Sequence, residues 1–155
     1  MTTSSDSTTA LQEFESSEFC RKYQCRRYAT SDYEGETAYY HNTILSDGAT
    51  EITVYVRQGK VKYSLGLQPV SASGLLDESK VEWEDPQAVL DLFKSVAPDV
   101  EITDEIKSQV RHNLMQHLEQ ICYATPISLG KYKAWIGRVS FYEQTVIIDT
   151  ECQKP

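Results

Sequence analysis

Three histidines and four cysteines carry whatever metal or nucleophile–base chemistry this chain possesses, and their spacing limits it. A helical metal pair needs His at i and i+4, which sets two ring nitrogens on one face. His112 and His117 are five apart and diverge by about 140° around a helix. His117 falls beside Leu114, Leu118 and Ile121, so a hydrogen-bonded core histidine accounts for it. Cys20 and Cys25 match no common zinc or redox spacing, and Cys122 reads as a small buried hydrophobe at the apolar end of a helix. If a pocket lies between a sheet and its helices, His41, His117 and Cys122 are the polar groups it would use, with nearby tyrosines.

Nucleotide motifs are missing as well. A P-loop needs a glycine-rich arc ending in Gly-Lys-Ser/Thr, so that backbone donors, the ammonium and a magnesium-binding hydroxyl converge on phosphate. Gly59-Lys60 and Gly130-Lys131 are followed by Val61 and Tyr132, and both read as turns that open strands. A dinucleotide fingerprint, a Gly-x-Ser-x-Gly elbow and a calcium loop are also absent. No catalytic residue, metal ligand or cofactor is assigned.

Charge and aromatic content say more. Arg21, Lys22, Arg26 and Arg27 interleave with Tyr23 and Tyr28, the combination that phosphate contact plus base stacking uses. The competing explanation is structural, since cations near a helix C-terminus complement its dipole and can pair with carboxylates. The chain as a whole carries a formal charge of -8, which argues against non-specific nucleic-acid binding and against adhesion to anionic lipid. That charge is concentrated. Residues 76 to 105 hold ten acids against two lysines, with Trp83 among them. An acidic segment steers basic partners, and an aromatic inside it supplies an anchor. Ten tyrosines add amphipathic contact area at low entropic cost. Glu82, Trp83, Glu84, Asp85, Tyr39 and Tyr55 are therefore the candidate contacts for a protein partner bearing a basic patch.

The elements that must position these residues follow from periodicity. Leu11, Phe14, Phe19 and Tyr23 predict one amphipathic helix over about 10 to 24, after a frayed tail over 1 to 9. A loop follows near Ser31 to Gly35. Thr37 to Leu45 is rich in β-formers, and Ser46-Asp47-Gly48 supplies a turn. Ile52, Val54 and Val56 alternate with polar neighbours, and after Gln58-Gly59 the alternation resumes at Val61, Tyr63, Leu65 and Leu67. Residues 37 to 67 thus predict a three-stranded antiparallel meander. Asp85-Pro86 opens a helix over about 86 to 96, and Thr103 caps another whose apolar stripe runs from Ile106 to Ile121. Tyr132 to Val139 and Thr145 to Thr150 give one or two closing strands.

At 155 residues the chain forms one domain, spanning 10 to 150 with a short tail over 151 to 155. The predicted class is α+β: an antiparallel sheet made of the meander plus C-terminal strands, with helices largely on one face. Four cysteines are too few for a disulfide-stapled scaffold and predict reduced thiols. No signal-peptide pattern or long apolar run is present, so a cytoplasmic location without membrane contact is expected. In size, acidity and element order the chain resembles type III secretion chaperones, although the C-terminal helix expected of them is replaced by β-like residues.

These features predict a non-catalytic protein-binding module: an adaptor, inhibitor, immunity-type protein or assembly chaperone. One alternative is a small-molecule-binding or enzymatic domain using the His41, His117 and Cys122 pocket. The other is a nucleotide or RNA contact through residues 21 to 28.

Overall fold

The computed structural model describes residues 2–45, 50–68, 71–72, 81–82, 86–140 and 143–153. The chain begins with helices α1 (Thr2–Glu15) and α2 (Glu18–Tyr23), then a meander of β1 (Arg26–Tyr33), β2 (Glu36–Asn42), β3 (Glu51–Arg57) and β4 (Lys60–Leu67). A short ribbon, β5 (Ser71–Ala72) with β6 (Val81–Glu82), leads to α3 (Gln87–Val96) and α4 (Asp104–Leu114). A 3-10 turn, Ile121–Tyr123, precedes β7 (Ile127–Leu129), β8 (Tyr132–Ser140) and β9 (Glu143–Asp149). The result is α+β, with seven antiparallel strands in the order β1-β2-β3-β4-β9-β8-β7.

Period-two alternation builds the sheet's inner face. Register aligns Tyr39, Val54, Tyr63, Ile148, Ala134 and Ile127 in one row, and His41, Ile52, Leu65, Val146 and Ile136 in the next. Most of these side chains are buried. The helices cover this face, which we call the helix face. Phe14 of α1 packs against His41 and Tyr63, with ring centroids 5.6 Å away in each case. Leu90, Leu92 and Phe93 of α3 and Val110 and Leu114 of α4 complete the core. Two tight turns fix the register. Glu34-Gly35 and Gln58-Gly59 each have both central residues at positive φ, the type I′ geometry that follows the twist of an antiparallel pair.

Several expectations need correction. The predicted helix over 10 to 24 is two helices. Ser17 caps the second, its hydroxyl accepting from the Cys20 amide while donating to the Phe14 carbonyl. The first helix extends back to Thr2, through the segment expected as a tail. The loop near 31 to 35 is strand and turn, so the meander has four strands, and β7 adds a third C-terminal strand. The turn expected at Ser46 to Gly48 lies outside the described residues.

Thr103 caps α4 as expected, its side chain accepting from Ile106 N. The helix nevertheless ends at Leu114, well short of Ile121. Tertiary partners override the continuing apolar period: Gln144 donates to the Leu114 carbonyl, Asn113 donates to Thr125 O, and Gln116 and Leu118 exchange backbone bonds with Arg138. The chain therefore leaves the helix to run beside β8.

The four thiols are not reduced. Cys20 pairs with Cys25 and Cys122 with Cys152, with Cα atoms 4.7 and 5.5 Å apart. Gln24 at positive φ ends α2 and turns Cys25 back toward Cys20. Cys122 is carried to the C-terminal segment by the early end of α4, which no helical count anticipates.

Candidate functional site

The sheet's other face is closed at one end only. Beside β8, Leu118 lies over Gly137, where a Cβ would collide with its side chain, and Trp135 is 6% exposed. The 3-10 turn and the Cys122–Cys152 bridge extend this cover. Among the described residues no helix covers the far end, over β1 to β4, and we call it the open face.

Register shows which residues the open face presents. A bulge between Arg27 and Ala29 turns Tyr28 toward it, alongside Ser31 and Tyr33. Tyr40 of β2 lies beside Thr53 of β3 and Ser64 of β4, while Tyr55 lies between Ala38 and Lys62. These groups are held in place. The Tyr28 hydroxyl donates to the Glu51 carboxylate, its ring centroid is 6.2 Å from that of Tyr40, and the Tyr40 hydroxyl is 3.2 Å from Ser31 Oγ. The Lys62 ammonium lies 4.5 Å from the centre of the Tyr55 ring.

Bonding and burial shift the phenols. The hydrogen bond to Glu51 pushes the Tyr28 pKa up to about 12, and burial, with Tyr40 nearby, raises that of Tyr55. Both rings are neutral donors at ordinary pH. Next to Tyr55 are two adjoining clefts, of about 180 and 380 Å³, that share Lys62, Asp149 and Glu151.

The sequence-predicted residues divide differently. Tyr55 is on the open face, but Tyr39 is on the helix face, where Arg27 stacks on it at 5.4 Å. Glu82 pairs with Ser71 through its backbone, and Trp83, Glu84 and Asp85 lie outside the described residues.

The pocket trio is not brought together. His41 is 1% exposed, its Nε2 is 2.6 Å from the Glu15 carboxylate, and its Nδ1 is 3.3 Å from the Ile52 carbonyl. His117 bridges to Arg138 at β8, four strand spacings away from β2, or about 19 Å along the sheet. Cys122 is in a disulfide and has no thiol to offer.

The basic segment has structural duties. Arg27 makes a two-pronged contact with Glu15 through Nε and Nη2, both at 2.9 Å, and Arg21 donates to Ser16 O. Lys22 pairs with Asp91 at 2.8 Å, and Asp91 also accepts from Tyr23 and Gln87. Burial opposes ionisation of Asp91, yet these three donors hold its pKa below the ordinary value. Arg26 is exposed on β1.

Sequence reasoning missed Tyr28, Tyr40, Glu51 and Lys62. Alternation alone puts neighbours such as Tyr39 and Tyr40 on opposite faces. Choosing between them needs the β2–β3 register, and that connection is too long to fix it. Among the described residues no group of three or more His, Cys, Asp or Glu side chains could hold a metal ion, and no helix is long and apolar enough to cross a membrane. No family model matches the chain, and neither a curated protein nor a solved structure matches it.

Proposed function

We propose that this chain is a non-catalytic binding module that recognises another protein through the open face of its meander. The observation that carries this reading is the set of Tyr28, Tyr40 and Tyr55 on three adjacent strands, pre-positioned by hydrogen bonds and ring contacts on a rigid sheet. Tyrosines that are already ordered lose little entropy on binding and offer an apolar ring with a polar tip. Glu36, Glu51, Asp149 and Glu151 lie around them among Arg57, Lys60 and Lys62, and Glu36 pairs with Arg57, so this face carries both signs and the preference for a basic partner comes from the chain's formal charge of -8. In the same reading the acidic segment 76 to 105, with Glu82, Trp83, Glu84 and Asp85, steers that partner by charge. The two disulfides support work in an oxidising compartment over the cytoplasm expected from the sequence.

A photo-crosslinking side chain in place of Tyr55 tests the reading, with one in place of Lys107 on α4 as control. The expected result is a protein adduct from position 55 alone, lost when Tyr40→Ala is added while the melting temperature holds. Adducts that are equal at both positions, or indifferent to Tyr40→Ala, would overturn it.

A further inference from the structure

Strand β1 is one of the sheet's two edges, and all eight of its residues are exposed. Its outer side has no partner strand among the described residues. Charges and a bulge commonly guard such an edge. Here both fit a specific occupant.

The bulge leaves seven columns in β1, because Arg26, Arg27, Ala29, Thr30, Ser31, Asp32 and Tyr33 each oppose one residue of β2 while Tyr28 is extra. Seven columns have a middle one, and it is Thr30. A second copy related by a two-fold axis perpendicular to the sheet and midway between the two Thr30 residues sets Arg27 opposite Asp32, Arg26 opposite Tyr33 and Ala29 opposite Ser31. Every pair then shares a face. Arg27 and Asp32 align with His41 and Thr37 on the helix face, while Arg26 and Tyr33 align with Asn42 and Glu36 on the open face. Without the bulge, Arg27 and Asp32 would be an odd number of residues apart and point to opposite faces. The bulge is what makes the strand complementary to itself.

The chemistry of the pairs agrees. The contact between Arg27 and Glu15 uses Nε and Nη2, so Nη1 takes no part in it and can meet a second carboxylate. Tyr33 is 73% exposed, and Arg26 across the axis would stack on its ring. Because the charges of opposite sign lie at opposite ends of the strand, antiparallel pairing brings them together and parallel pairing sets like against like.

The geometry points to a second copy of this chain as the occupant of the β1 edge, joined antiparallel about Thr30 into one continuous fourteen-stranded sheet. This does not rest on the proposed recognition of a protein by the open face. A strand-only contact is small, so the association is weak, in the micromolar range.

Sedimentation velocity of the full chain from about 1 µM to 1 mM spans that range. The expected result is a reversible monomer–dimer equilibrium that weakens with salt. Asp32→Lys sets like charges across both Arg27–Asp32 pairs, and Thr30→Lys sets two ammonium groups against each other at the axis. Each should weaken dimerisation roughly tenfold or more with the melting temperature retained. Tyr40→Ala should leave it unchanged. A monomer throughout the range, or a dimer indifferent to both folded variants, overturns the proposal. Should the variants fail to fold, amide exchange of the unaltered chain decides. Protection within residues 26–33 that falls on dilution supports the pairing, and protection that does not change with concentration overturns it.

Discussion

The two halves of the sheet share one inner face but differ on the other. At β8 both sides are covered: helices pack on one, and Leu118, the 3-10 turn and the Cys122–Cys152 bridge on the other. At β1 to β3 the described helices cover only the helix face, and the opposite side carries Tyr28, Tyr40 and Tyr55. A strand needs one buried face to be stable, and the meander has it. Its second face carries less of the structural task, with Ala38 and Thr53 buried in it but Tyr28 exposed on it. The C-terminal half has no such freedom, because its second face is part of the core.

The sharpest way to break this contrast is to charge each face. Val54 is fully buried on the helix face, so Val54→Asp strands a carboxylate without a partner and should cost at least about 3 kcal/mol, enough to abolish cooperative unfolding. Ser64→Asp, on the next strand and the opposite face, should cost about 1 kcal/mol or less. Thr53 is a poor control, since it is buried despite facing away from the helices. Urea denaturation of both variants checks the pair, and equal losses would show that the open face is as structural as the inner one.

The disulfides give the next effect. Cys122–Cys152 spans 30 positions and ties down the cover of the closed half, whereas Cys20–Cys25 spans 5. Loop-closure entropy gives about 3.5 kcal/mol for the first and about 2 kcal/mol for the second. The double substitution of Cys122 and Cys152 by Ser should therefore lower stability more than that of Cys20 and Cys25. Thiol counting after non-reducing denaturation should find no free cysteine. Four free thiols would restore the reading made from composition alone.

That error shows where sequence legibility stops. The alternation Ile52-Val54 and Val61-Tyr63-Leu65, the Gly59 turn and the Thr103 cap are local signals, and each has its structural counterpart. The end of α4 is not local. Leu118 and Ile121 keep the helical period, but Gln144 and Arg138, from the distant strands β9 and β8, take the backbone elsewhere, and with it Cys122. The candidate site was half legible for the same reason. Tyr55 follows from the pattern of its own strand, whereas Tyr40 and the bulged Tyr28 need pairing partners to be assigned a face.

Tyrosine ionisation compares the two faces at smaller cost. Burial raises Tyr63 and Tyr132 on the helix face, and burial with the bond to Asp91 raises Tyr23 to about 12. On the open face Tyr28 reaches about 12 through Glu51. A phenol raised in the folded state contributes stability that is complete below its unfolded value near 10 and is lost as pH climbs through its folded value. The melting temperature should thus hold to about pH 10 and fall toward pH 12. Absorbance of phenolate should show a late-ionising group of tyrosines that merges with the early group on unfolding. Glu51→Ala, which removes the acceptor, should move Tyr28 furthest toward the early group, with little change in melting temperature.

The smallest expected effect is the most informative about function. Tyr55→Ala removes a half-buried ring that touches Lys62 and lies outside the hydrophobic core, so its cost to stability should stay within about 1 kcal/mol. If Tyr55 is an anchor for a protein partner, the same change should weaken that complex by about 2 kcal/mol or more, chiefly through faster dissociation. Calorimetric unfolding and dissociation rates on the same sample separate the two. A variant that loses stability and binding in parallel would mean that the ring belongs to the fold, and the open face would then differ from the closed one only in being wetter.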